Sequence, residues 1–200
     1  MRQKAHQRRE LAARAQARAQ DEPRRVEAWL APLSLPRFVL TALLAMALLY
    51  GAYYYPYAPG SPAFVAIQAY LVLLAHGAAA VIGLFDGSVR VSDTLIEGSF
   101  PLAIVKSCSA LDAQALYAAA ALAFPVRALL KVVGVLLGLL GLGALNLLRI
   151  AGLYFVGAHY PAAFDALHEE VLPLLLVLSA CLLFVLWVRW ASHERSAATA

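Results

Sequence analysis

Long apolar segments separated by short polar ones dominate the chain. The segments run from Arg37 to Tyr54, Phe64 to Phe85, Leu111 to Phe124, Leu129 to Tyr160 and Val171 to Trp190. A helix needs about 20 residues to cross the hydrocarbon core of a bilayer, and most of these segments have that length with few charges. The pattern predicts an all-α membrane protein, a polytopic bundle of about four to six helices.

Composition supports this class and divides the chain. Hydrophobic residues make up 62% and charged residues 14%, whereas soluble domains have about half and a quarter, respectively. Eight of the sixteen Lys and Arg lie in the first 25 residues. We therefore expect a basic cytoplasmic tail over residues 1–36, a membrane domain over residues 37–190 and a short cytoplasmic tail over residues 191–200. The basic tail suits anionic lipid rather than nucleic acid.

The short linker between the third and fourth apolar segments predicts the orientation. Arg127 lies in it and Lys131 just beyond, with no acidic residue nearby, so the linker should be cytoplasmic. The segment before it then begins on the outer face, which places Cys108 there. The segments after it bring Arg149 and His168 to the same face and leave both termini in the cytoplasm, with four full spans.

The segment from Phe64 to Phe85 does not fit this count. Gln68 and His76 interrupt it, and Pro and Gly residues bound it. We prefer a helix that lies in or dips into the outer leaflet. The alternative is a fifth span, which would move Cys108 to the cytoplasmic face.

Two further segments have distinctive patterns. Residues 129–160 would form a helix roughly 48 Å long, so the helix either breaks near Asn146 and Arg149 or projects out of the hydrocarbon. Residues 89–105 alternate apolar and polar positions around turn residues, which predicts a small extracytoplasmic β-hairpin leading into Cys108.

Glycines at 134, 138, 141 and 143 recur along the fourth apolar segment. Small residues at such spacing let membrane helices approach closely. The stripe therefore predicts helix packing rather than chemistry.

Cys108 is the first candidate for chemistry. Ser109 and Asp112 match the capping signature that precedes a helix, so we expect a helix to start at Ser109. Cys108 would then lie one residue before it, near unpaired backbone N–H groups that favour a reactive thiolate, and Lys106 would add positive charge. The alternative is an unreactive cysteine at a helix start. Cys181 falls in the middle of the last apolar segment, too deep to pair with Cys108.

Arg149 and His168 are the second and third candidates. A guanidinium flanked by leucine and isoleucine within a membrane helix suggests function, and Asn146 shares its helix face. The alternative is an arginine that snorkels to lipid headgroups. His168 precedes the last span and could exchange protons near neutral pH. His159 competes with it and His76 more weakly, and these histidines lack the spacing of metal ligands.

Together these residues resemble a known family. Cys108 in "VKSCSALDA", Arg149 in "NLLRI" and His168 in "FDALHEEVLP" have the order and approximate spacing of the Cys, Arg and His shared by exosortases and archaeosortases. From residue 37 to 190 the chain is most similar to exosortase H. It departs from the family pattern at Ala110, where most relatives have Gly.

The resemblance implies a membrane-embedded cysteine transpeptidase or protease of the bacterial inner membrane that needs no cofactor. Its substrates would be membrane-anchored proteins with a C-terminal sorting signal of three parts: a motif of the IPTLxxWG type, a transmembrane helix and a basic cluster. Cys108 would be the nucleophile, His168 the acid and base, and Arg149 the group that stabilises the oxyanion or thiolate. The alternatives are a non-enzymatic membrane adaptor or assembly subunit and, less favoured, an anion transporter.

Overall fold

The computed structural model describes residues 35–197 of the 200-residue chain. The chain divides into two compact units, Met1–Leu40 and Thr41–Ala200. Residues 1–34, which hold most of the predicted basic tail, lie outside the described residues, as do residues 198–200 of the predicted C-terminal tail.

Five long helices form most of the described chain. They are α1 (Leu35–Tyr54), α2 (Pro62–Ile82), α3 (Leu111–Ala123), α4 (Ala128–His159) and α5 (Leu172–Ala197). A 3₁₀ turn, Lys106–Ser109, precedes α3, and three short helical pieces, Pro161–Ala163, Phe164–Ala166 and Leu167–Val171, join α4 to α5. The predicted helical architecture is confirmed. Residues 191–197, which belong to the expected short cytoplasmic tail, are helical and continue α5.

Among residues 35–197, four helices are long and apolar enough to cross a membrane, so the chain is a multi-pass membrane protein in outline. The segments are Pro36–Tyr54, Pro62–Ile82, Ala128–His159 and Pro161–Ser192. The sequence-based count also gave four, but it included residues 111–124 and left out residues 64–85. By length alone, α2 is a candidate span because it has 21 residues. In contrast, α3 has 13 residues and reaches only about 20 Å.

The α4 helix is continuous over all 32 residues. The predicted break near Asn146 is wrong, and projection of one end out of the hydrocarbon stays a prediction. At roughly 48 Å, α4 exceeds a hydrocarbon core of about 30 Å by several turns.

Contacts along α4 define two ends of the bundle. At the linker end, Lys131 Nζ donates to the carbonyl oxygen of Leu122 over 2.6 Å, so the end of α3 meets the start of α4. At the site end, Asn146 Nδ2 donates to the carbonyl oxygen of Cys108 over 2.8 Å. Lys131 and Asn146 are about 22 Å apart along the helix axis, so α3 and its leading turn extend across most of a bilayer core.

Both ends of α2 lie at the site end. Near its start, Phe64 shares the wall of a small cavity with Lys106. Just past its end, Asp86 accepts a 2.7 Å hydrogen bond from Tyr154 Oη. These contacts tie both ends of α2 to segments that are distant in the sequence.

A small antiparallel sheet follows α2. Its strands are β1 (Arg90–Ser92), β2 (Leu95–Glu97) and β3 (Leu102–Ala103), in the order β1-β2-β3. Val91 pairs with Ile96, and Ile96 pairs with Leu102. The predicted hairpin is present, and the third strand extends it. Ile96 is fully buried against the site end of α4, so the sheet covers the turns that project beyond Asn146.

Two of the four predicted packing glycines are in tight contact. A Cβ at Gly134 would collide with the Trp187 ring, and one at Gly138 with the Tyr117 ring. Gly141 and Gly143 have room for a Cβ. Close approach therefore occurs over two positions near the linker end rather than along the whole stripe.

Candidate functional site

Cys108 lies within the 3₁₀ turn, three residues before α3 begins at Leu111. Its N–H donates to the carbonyl oxygen of Val105 over 2.9 Å, and its own carbonyl oxygen accepts from Asn146. The residue is only 5% exposed. Backbone contacts on both sides thus fix the cysteine at the junction of the turn and α4.

The predicted capping box is wrong. Ala110, at φ 55° and ψ 18°, is the residue that precedes α3, and no side chain caps that helix. Ser109 Oγ instead donates to the carbonyl oxygen of Lys106 over 2.6 Å and accepts from the N–H of Leu111 over 3.4 Å. The left-handed residue breaks the helical path, so the serine caps its own turn and the α-helix starts two residues later than expected.

Lys106 holds the end of α1. Its Nζ donates to the carbonyl oxygen of Tyr53 over 3.0 Å and lies 5.5 Å from the centre of the Tyr53 ring. A cation at a helix C-terminus satisfies an unpaired carbonyl and the negative end of the dipole. The contacts of this ammonium fix α1 against the turn, and its expected assistance to the thiol stays a prediction.

Asn146 and Arg149 lie one turn apart on α4 and are both buried, at 0% and 7% exposure. Arg149 Nη2 donates to the backbone oxygen of His168 over 3.3 Å. Asn146 Oδ1 and Arg149 Nε have no hydrogen-bond partner. The guanidinium interacts electrostatically with Cys108 and with Asp112, an exposed residue in the first turn of α3.

His168 lies in a π-helical segment, Leu167–Val171. Its ring stacks on Phe164 at 5.5 Å and 16°, and its Nδ1 is buried without a partner. Short π-helical segments occur often at functional sites. The stack and the contact with Arg149 hold this histidine beside α4.

The competing histidines lie elsewhere. His159, at the end of α4, contacts the backbone oxygen of Phe155 and is about 15 Å from Arg149 along the helix. His76 is exposed on α2. Neither lines the cavity described next, whereas His168 does.

A cavity of about 420 Å³ opens between the turn, α3, α4 and the start of α5. Its walls are Ser107, Ala110, Asp112, Ala113, Arg149, His168, Glu169, Pro173, Leu176 and Val177. The volume falls in the range of small-molecule and peptide side-chain pockets. Ser107 and Ala110, on either side of the Cys108–Ser109 pair, line the cavity, whereas Cys108 itself belongs to the adjoining buried core.

Tyr53 is a buried polar residue that sequence reasoning missed. It is 8% exposed, and its hydroxyl has no hydrogen-bond partner. The hydroxyl is close to Ser109 and interacts electrostatically with Cys108. In the sequence it is one of several tyrosines at the end of the first apolar segment, where membrane helices commonly carry aromatic residues, so nothing there distinguishes it.

The two cysteines are free, Cys108 buried and Cys181 exposed on α5. Cys181 is thus unpaired and lies on the helix formed by the last apolar segment, as its sequence position predicts.

Asp86 anchors the sheet that leads into the site. Its carboxylate accepts from Ser88 Oγ over 2.6 Å and, over 2.7 Å each, from Tyr154 Oη and Ser99 Oγ. These bonds, above all those from Ser88, hold the pKa of Asp86 well below its usual range. The charged carboxylate therefore ties α2, the sheet and α4 together.

No protein-family model, curated protein or solved structure matches this chain.

Proposed function

We propose that this protein is a membrane-embedded cysteine peptidase or transpeptidase with Cys108 as its nucleophile. One observation carries the proposal: Arg149 and His168 line one cavity and have buried polar atoms without partners, and the turn that contains Cys108 forms part of the same wall through Ser107. The chemistry of these three groups matches a thiol reaction on a peptide carbonyl.

The unpaired atoms favour a functional site over a structural one. A buried polar group without a partner costs about 1–3 kcal/mol, and more when it is charged. Arg149 Nε and His168 Nδ1 both carry this cost beside the same cavity. A substrate that fills the cavity would supply the missing partners, so its binding would recover the cost.

Each group has a role in the proposed reaction. The Cys108 thiolate attacks the carbonyl carbon of a peptide bond, and the carbonyl π electrons move to oxygen. Arg149 stabilises that oxyanion. Collapse of the adduct breaks the C–N bond, and His168 donates a proton to the departing amine, which leaves a thioester. Water or an amine then attacks the thioester, His168 takes its proton, and the thiolate is released.

Asn146 and the turn keep the nucleophile in place. Asn146 holds the Cys108 carbonyl oxygen, while Lys106 and Ser109 fix the two ends of the same turn. A nucleophile held near its target reacts faster because little orientational freedom remains to be lost.

The substrate class we propose is a membrane protein with a C-terminal signal made of a short motif, a transmembrane helix and a basic cluster. A substrate anchored by its own helix would present the motif at a fixed depth in the bilayer. Asn146 lies about 22 Å from Lys131, so the site would be near the membrane surface opposite the linker. We assign that surface to the outside of a bacterial inner membrane, because the positive charges of Arg127 and Lys131 favour a cytoplasmic linker.

The test is processing of a co-expressed reporter that ends in an IPTLxxWG-type motif, a transmembrane helix and a basic cluster. The wild-type chain and Cys181→Ala should shorten the reporter, and Cys108→Ala should leave it intact. Processing by Cys108→Ala would favour an adaptor that recruits another protease. A reporter left intact by the wild-type chain would overturn the substrate class.

Orientation is tested by single cysteines in a chain with Cys108 and Cys181 replaced by Ala. Gly87→Cys lies in the exposed loop at the site end, and Ala128→Cys is exposed at the linker end. A membrane-impermeant maleimide should label the first on intact cells and the second only after lysis. The reverse pattern would place the site in the cytoplasm.

A further inference from the structure

We propose that the Tyr53 hydroxyl is a further catalytic group, which donates a hydrogen bond to the negative charge that develops at Cys108 and on the attacked carbonyl oxygen. This inference rests on the proposed function. It adds a residue from α1 to a site otherwise built from the turn, α4 and the segment before α5.

The first ground is the missing partner. In the described part of the chain, the buried side-chain atoms without a hydrogen bond are Tyr53 Oη, Asn146 Oδ1, Arg149 Nε and His168 Nδ1. The last three belong to residues of the proposed site. Tyr53 shares their unusual state and is over nine-tenths buried.

The second ground is the contrast with other buried or half-buried tyrosines. Tyr70 donates to the backbone oxygen of Ser109, Tyr117 to that of Gly134, and Tyr154 to the Asp86 carboxylate. Each of these hydroxyls therefore has a structural role. The Tyr53 hydroxyl lies close to Ser109 but forms no hydrogen bond within the described residues.

The third ground is position. The hydroxyl interacts electrostatically with Cys108 and Asp112, and Lys106 fixes the residue by binding its backbone oxygen and lying over its ring. A phenol held rigidly near a nucleophile, with its proton uncommitted, is placed to stabilise an oxyanion.

Tyr53→Phe provides the decisive test, because it removes the hydroxyl and keeps the ring. We expect the turnover number for reporter cleavage, measured with the purified full chain in proteoliposomes, to fall about 10- to 100-fold, as when one oxyanion donor is lost, with little change in KM. We also expect thermal stability equal to or above that of the wild type, since an unpaired buried hydroxyl is removed.

Tyr117→Phe is the matched control. It removes a hydroxyl that donates to Gly134 at the linker end, so it should lower stability and leave the turnover of the folded protein unchanged. Unchanged turnover in Tyr53→Phe, with Cys108→Ala inactive, would overturn the role of Tyr53 and leave the proposed function standing. Reduced stability of Tyr53→Phe with unchanged turnover would show a purely structural residue. Activity in Cys108→Ala would remove both proposals.

Discussion

The two ends of the bundle differ in whether their polar side-chain atoms all have hydrogen-bond partners. At the linker end, Tyr117 Oη donates to Gly134, Trp187 Nε1 to Leu130 and Lys131 Nζ to Leu122. The glycines there let the rings pack directly against α4. A region in which donors are paired and rings fill the gaps left by missing side chains is arranged for stability.

At the site end, the same helix carries polar atoms that are buried and unpaired. Arg149 Nε and Asn146 Oδ1 on α4 lie near His168 Nδ1 and Tyr53 Oη. Such groups lower stability, and functional sites are where proteins retain them. The difference indicates that one continuous helix carries stabilising contacts at one end and the proposed catalytic groups at the other. Substitutions at the linker end should therefore change stability, and substitutions at the site end should change reporter cleavage.

The largest expected effect comes from Arg149→Met at the site end. Loss of the guanidinium should reduce reporter cleavage at least about 100-fold, the scale for a lost oxyanion stabiliser. The melting temperature in detergent should stay the same or rise, because a buried charge is replaced by an apolar chain of similar length.

Arg149→Lys sharpens this prediction. It keeps a positive charge but loses the planar fork and the Nε donor, so it should remain far below wild-type activity. Full cleavage by Arg149→Met would show that the site end has no catalytic role for this guanidinium. The side chain would then be only a contact for lipid headgroups.

Gly138→Ala at the linker end should act on stability instead. The new methyl group would meet the Tyr117 ring, and overpacking of this kind costs about 1–3 kcal/mol. Thermal unfolding in detergent measures the loss, and cleavage per folded molecule should not change.

Gly152→Ala is the control on the same helix, since no atom lies within 4 Å of the added Cβ. There the better helix propensity of Ala should raise stability by up to about 1 kcal/mol. Equal behaviour of the two variants would show that the tight contact at Gly138 is not present.

The sequence predicts the helices well because long apolar segments need no tertiary information. The sequence does not predict features that depend on packing between distant segments. The path of α2 depends on contacts of Phe64 and Asp86 with distant segments, and the two-residue strand Leu102–Ala103 exists only because Ile96 pairs with it.

The candidate site follows the same division. Cys108, Arg149 and His168 were predictable because a cysteine near a span and a charge within one are unusual in sequence. The role of Lys106 at the end of α1 and the unpaired hydroxyl of Tyr53 were not, because both depend on where α1 meets the turn. Tyr53 is one of several neighbouring tyrosines, so its sequence position does not distinguish it as a site residue.

Asp86 predicts how stability at the site end depends on pH. Its pKa in the folded state is lowered by the bonds from Ser88, Tyr154 and Ser99, so its stabilising effect is present above the unfolded-state pKa of about 3.9 and is lost as the pH falls toward the folded value. Asp86→Asn should therefore be less stable than the wild type at pH 7, and the difference should shrink at pH 3. Melting temperatures across this range measure it, and a difference independent of pH would contradict the role of the charged carboxylate.

The smallest effect concerns Ala110, the left-handed residue between Cys108 and α3. At φ 55° an alanine carries a strain of about 1–2 kcal/mol that glycine avoids, while glycine loses roughly 0.5–1 kcal/mol more backbone entropy on folding. Ala110→Gly should therefore raise stability by up to about 1 kcal/mol and preserve cleavage, whereas Ala120→Gly, inside α3, should lower stability by about 1 kcal/mol. Unfolding of both variants in the same detergent tests the opposite signs. A loss in both would mean that Ala110 is not strained in this turn.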